Sequence, residues 1–121
     1  MTIPHTWTPY IRDDDGELLG YLVGGDGAVQ ATTLFGYPLG APGDEAAAER
    51  VLDSIGLSYL ADRWLLTLPD RREPIAVQIV EASPQHLTVK SVYYSYEGDY
   101  GTPFTLDVPV AVESLRPERA L

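Results

Sequence analysis

The chain reads as an α+β fold, mostly β: a small, strongly twisted antiparallel sheet or partly open barrel with one amphipathic helix. Three observations predict it. Short apolar runs recur between polar, glycine-rich turns. Only one segment has helical periodicity. The 121 residues, 45% of them hydrophobic, suffice for a core without disulfides, and there is no cysteine to form one. A single domain over 1–121 is expected, with a hairpin system over 6–40, a helix over 44–55 and a strand meander over 58–121.

The first hairpin is written as two apolar runs, TWTPYI and ELLGYLV, flanking Asp13-Asp14-Asp15-Gly16. Pro9 suits an edge position, because proline cannot donate to a ladder. A second turn at Gly24–Gly27 leads into AVQATTLF. The helix follows Pro42-Gly43-Asp44. Ala48, Val51, Leu52 and Ile55 fall on one stripe, Asp44 or Gly43 caps the start, and Gly56 ends it with Leu57 folding back. So short a helix must dock on a sheet to be stable. Beyond it, YLADRWLLTL contains a strand that turns Trp64 and Leu66 into the core. PIAVQIVEA and LTVKSVYY flank a turn at Ser83-Pro84-Gln85-His86, with Ile75, Val77 and Ile79 alternating in step with Leu87, Val89 and Ser91. PFTLDVP reads as a shorter strand and VAVESLRP as one helical turn. In rhythm, the last sixty residues are similar to an SH3-like barrel: strand, long hairpin pair, short strand, single helical turn. That likeness implies a fold and supplies no function.

Composition removes several chemistries. Net charge is −10, and the acids gather at Asp13–Glu17 and Asp26, then at Asp44, Glu45, Glu49, Asp53 and Asp62. So acidic a surface repels phosphates, and direct nucleic-acid binding is not expected. No apolar run is long enough for a membrane span, and the first residues lack the pattern of a signal peptide. A cytoplasmic protein is therefore expected.

Motif tests remove more. DDDG fails as an EF-hand: with Gly16 at the sixth loop position, Ile11 and Leu22 occupy positions that need oxygen donors. Gly25-Asp26-Gly27 lacks the third glycine of a dinucleotide loop and precedes strand-like sequence. None of the six serines sits in a nucleophile elbow. His5 and His86 are far apart, without thiolates to complete a zinc site. His86 could reach Ser83, but reads as a turn residue. No catalytic residue, metal or cofactor is assigned.

What remains is SVYYSYEGDYGTPF. Continued alternation aims Tyr93 inward and puts Tyr94 and Tyr96 on the Thr88–Lys90–Val92 face, while Tyr100 sits on the turn between Gly98 and Gly101. Tyr94, Tyr96 and Tyr100, with Glu97 and Asp99 as acceptors, form the candidate binding surface. The expected function is a non-catalytic protein-interaction or self-association domain. Its partner is another protein or a second copy, not nucleic acid and not a membrane. Two alternatives are a small-molecule site or weak enzyme between helix and sheet, and an acidic DNA-mimic inhibitor.

Overall fold

The computed structural model describes residues 2–92 and 101–121. Among the described residues the strands form two antiparallel sheets, not one, and neither closes into a barrel. The first contains β1 (Thr8–Ile11), β2 (Leu18–Gly25), β3 (Ala28–Thr32) and β4 (Pro38–Gly43), in that spatial order. The second contains β5 (Arg63–Leu66), β6 (Ile75–Ala82), β7 (His86–Ser91), β8 (Pro103–Asp107) and β9 (Leu115–Pro117), in the order β8-β7-β6-β5-β9. Helix α1 (Glu45–Ile55) and a 3-10 turn at Ser58–Leu60 lie between them in the chain.

The hairpins sit where their turn residues demand. Arg12 grips Asp15 through two hydrogen bonds of 3.1 and 2.7 Å, and Asp15 also accepts from the Glu17 N–H. This ion pair helps to organise the DDDG turn. Asp26 and Gly27 both have positive φ, 42° and 81°, the conformation of a two-residue type I′ turn between paired Gly25 and Ala28. β1 lies on an edge, as Pro9 requires.

Two strands were not expected. PLGAPG, with two prolines and two glycines, forms β4 and extends the hairpin system past residue 40. It is tolerated because an edge strand bonds on one side only. Its ladder with β3 shifts between Val29 and Ala31, and the Gln30 side chain bridges the gap, donating to the carbonyls of Ala31, Leu39 and Gly40. The helical turn expected after residue 110 exists: the N–H groups of Ser114 and Leu115 both donate to Ala111. It is cut short, because Leu115–Pro117 then pairs with β5, so the chain's last strand returns beside the first strand of its sheet and the second sheet is not a simple meander.

Helix α1 behaves as its stripe dictates. Asp44 caps it by accepting from the Ala47 N–H at 2.7 Å, and the Gly56 N–H closes it on Leu52. Ala48 and Leu52 are buried with Leu19, Leu22, Ala31 and Leu39 of the first sheet, while Val51 and Ile55 pack at the margin. Gly20 allows the close approach. A Cβ there would stand 2.0 Å from the Thr32 carbonyl oxygen and 3.1 Å from a Leu52 methyl. The larger core joins both sheets, with Tyr21 and Phe35 of the first half packed on Trp64, Leu66, Val77, Leu87 and Val89 of the second.

Truncating the fully buried Leu52 to alanine empties the centre of the helix–sheet seam. It is expected to cost about 3 kcal/mol, measured as a lower urea midpoint with unchanged slope.

Candidate functional site

The nominated surface residues Tyr94, Tyr96, Glu97, Asp99 and Tyr100 lie outside the described residues, as does Tyr93. Their flanks are described. The Ser91 N–H donates to Thr102 at 3.0 Å, and the Gly101 N–H donates to Ser91 at 2.7 Å. Gly101 has φ 80°. Two residues thus oppose one, with glycine left-handed at the first position, which is the pattern of a G1 bulge. The bulge fixes both ends of the tyrosine-rich segment at one point, where β7 meets the edge strand β8.

The outer face of the second sheet follows from its register. Arg63, Gln78, Lys90 and Pro103 form one row across four strands, and Arg116 lies opposite Leu65 in the next. Arg63 and Lys90 of that row, and Arg116 of the next, are exposed. At one end Lys90 and Thr105 are exposed. At the other, Val92 and Ala76 are buried, at 8% and 5%, although alternation turns them away from the core. The outer face is thus exposed at Lys90 and buried at Val92.

Other candidates resolve into structural roles. Ser83 accepts from the N–H groups of Gln85 and His86 and donates to the His86 carbonyl, so its hydroxyl is used by the turn. The His86 ring bonds Glu81 at 2.8 Å on the surface, and no contact with the Ser83 hydroxyl involves the imidazole. Trp64 is fully buried, its indole N–H donating to the Tyr59 carbonyl at 3.0 Å. Phe35 and Tyr37 meet its ring edge-on at 5.2 and 5.1 Å. Trp7 is half-buried and tilts against Tyr21 at 6.3 Å, tying down the first residues. Among the described residues no group of acids and histidines converges to hold a metal. Nor is any helix there long and apolar enough to cross a membrane.

The space between helix and sheet, where a ligand site was an alternative, is filled by side chains among the described residues. A cleft of about 360 Å³ lies elsewhere, lined by Ala61, Asp62, Arg63, Glu118, Arg119 and Ala120. Arg63 and Glu118 stand 4.0 Å apart across it, both partly exposed. With two arginines, two carboxylates and only alanine methyls, it lacks the apolar walls that bury a small molecule.

One contact had no local signal in the sequence. The Tyr10 hydroxyl, in β1, bonds both oxygens of Asp53 on α1, at 3.0 and 2.9 Å, across forty-three positions. The bond to Asp53 raises the Tyr10 phenol to about 12, with Glu49 and Asp13 adding negative charge. Because the folded chain holds this proton more tightly than the unfolded one, the contact's stabilisation is complete below pH about 10 and is lost as pH rises through about 12. Ultraviolet titration of the intact chain against a Tyr10→Phe variant is expected to show this phenol ionising near 12. In Asp53→Asn it should fall back toward the ordinary tyrosine value.

Comparison with family models, with curated proteins and with solved structures found no match for this chain.

Proposed function

We propose that this chain is a non-catalytic protein-interaction or self-association domain whose contact surface is the tyrosine-rich segment Tyr94, Tyr96 and Tyr100, with Glu97 and Asp99. The observation that supports it is the G1 bulge. Ser91, Gly101 and Thr102 bond to one another across β7 and β8, so the chain leaves and rejoins the sheet at one point on either side of that segment. Fixing a segment's ends in advance reduces the conformational freedom lost on docking. Tyrosine adds contact area with few rotatable bonds. The described residues offer no rival constellation: Ser83 and His86 serve the turn, and the helix–sheet seam is packed.

In the same reading, the second sheet is a partly open, SH3-like barrel. Its strand order and the helical turn before the returning last strand support that, and they carry no function by themselves. A second reading, an acidic face for a basic partner in the manner of a DNA mimic, has one observation in its favour. Glu45, Glu49 and Asp53 follow one another at single helical turns, with Asp13 close enough to act on the same phenol.

Replacing Tyr94, Tyr96 and Tyr100 together with serine leaves the acidic face untouched and so separates the two. Under the first reading, sedimentation and affinity capture lose the association while the unfolding midpoint holds. Unchanged association at unchanged stability would contradict it.

A further inference from the structure

Among the described residues the two sheets leave four edges: β1 and β4 in the first, β8 and β9 in the second. Open edges invite pairing with another chain, and proteins usually guard them. β1 carries Pro9 within it and shifts register between Tyr10 and Ile11. β4 carries Pro38 and Pro42, and its ladder is interrupted opposite Gln30. β9 has three residues and ends on Pro117. β8 is different. Its five residues pair with β7 in unbroken register, with proline only at the first position and no lysine or arginine.

The register shows what this edge presents. Ser91 and Thr102 are hydrogen-bonded at the bulge. Along an antiparallel ladder, bonded and non-bonded pairs alternate. Lys90–Pro103 is therefore non-bonded, as proline requires, Val89–Phe104 is bonded, and Thr88–Thr105 is non-bonded. The N–H and C=O of Thr105 consequently point away from β7, toward the open side. The Thr105 side chain is exposed, while Phe104 and Leu106 are half-buried against the core.

We propose that β8 pairs with β8 of a second copy, antiparallel about a two-fold axis at Thr105, joining two five-stranded sheets into one. The sequence PFTLD is self-complementary about its centre. Thr105 meets Thr105 of the second copy and exchanges both backbone bonds with it. Phe104 falls opposite Leu106, and Pro103 opposite Asp107, so aromatic meets aliphatic, threonine meets threonine, and no like charges face each other. This self-complementarity favours a second copy over a foreign strand, and it matches the closed, isologous symmetry of most homodimers. The contact is small, so the dimer is weak. Because each copy carries net charge −10, added salt strengthens it, the reverse of an ionic contact. The inference goes beyond the function proposed above: it concerns a different surface and does not rest on the tyrosine segment.

The test is sedimentation of the full chain from micromolar to millimolar concentration, in low and moderate salt. A reversible dimer that tightens with salt is expected. Thr105→Asp and Thr105→Lys each set like charges opposite one another and should weaken it about tenfold or more, with circular dichroism unchanged because Thr105 is exposed. An equimolar mixture of the two variants should restore association as a heterodimer. A chain that stays monomeric at millimolar concentration overturns the proposal, as does one that pairs β8 only with an extended segment of another protein. Variants that dimerise as the parent does, or a mixture that does not recover, also overturn it. A dimer abolished by the triple tyrosine-to-serine change but indifferent to Thr105 would overturn this proposal while leaving the tyrosine surface standing.

Discussion

One buried tyrosine bonds to both halves of the fold, through its hydroxyl and through its backbone carbonyl. Tyr59, in the 3-10 turn after α1, is fully buried. Its hydroxyl donates to the Leu19 carbonyl in β2 at 2.9 Å and accepts from the Leu34 N–H at 3.0 Å. Its own carbonyl accepts from the Trp64 indole, in β5. The ring of Phe35 packs edge-on against both Tyr59 and Trp64. A single residue thus satisfies polar groups belonging to both sheets and to the loop after β3. Burial pushes its phenol well above the ordinary tyrosine value. Leaving one such buried group without its partner costs about 1–3 kcal/mol, a large share of the marginal stability of a chain this size.

The consequences run outward from that junction. With the turn at Ser58–Leu60 anchored, α1 lies across β2, β3 and β4, and Gly20 lets Leu52 sink to the sheet. The second sheet is positioned by the same anchor through Trp64. Thr33 continues the scheme: its buried hydroxyl accepts from the N–H groups of Phe35 and Tyr37, which brings both rings onto Trp64. Further along, the Val110 N–H bonds the Phe35 carbonyl, so the segment leading to β9 is tied to the first half as well. The result is a chain with an acidic hairpin-and-helix half and a second sheet that exposes Arg63, Lys90 and Arg116 on its outer face. The exposed ends of the second sheet carry its unguarded edge.

Much of the fold was legible because local physics and tertiary context agreed. The α1 stripe, the Asp44 cap, the turns at 13–16 and 83–86, and the core placement of Trp64, Val77, Leu87 and Val89 all follow from periodicity and turn chemistry; the turn expected over 24–27 is confined to Asp26 and Gly27, because β2 runs on through Gly25. β4 was illegible, because proline and glycine argue against a strand and only its place at an edge permits one. β9 was illegible because three residues carry no period; pairing with β5 defines them. The division into two sheets was illegible for a related reason. The contacts of Tyr59 that tie the halves together reach forty and twenty-five positions along the chain, and local pattern does not encode such distances. The candidate surface was legible as composition only, as a run of tyrosines between glycines. The Gly101 bulge that bounds it emerges from the pairing of β7 with β8, and the burial of Val92 ran against simple alternation.

The most direct test of this account is Tyr59→Phe, which removes one hydroxyl and keeps the ring. In a Trp7→Phe background, Trp64 fluorescence reports the second sheet and far-ultraviolet circular dichroism reports α1. The account predicts that both unfolding transitions shift together, by about 2–3 kcal/mol, because the lost hydroxyl leaves the Leu19 carbonyl and the Leu34 N–H buried without their partner. Unchanged midpoints, or a shift in one probe alone, would contradict the claim that Tyr59 ties the two halves into one cooperative unit.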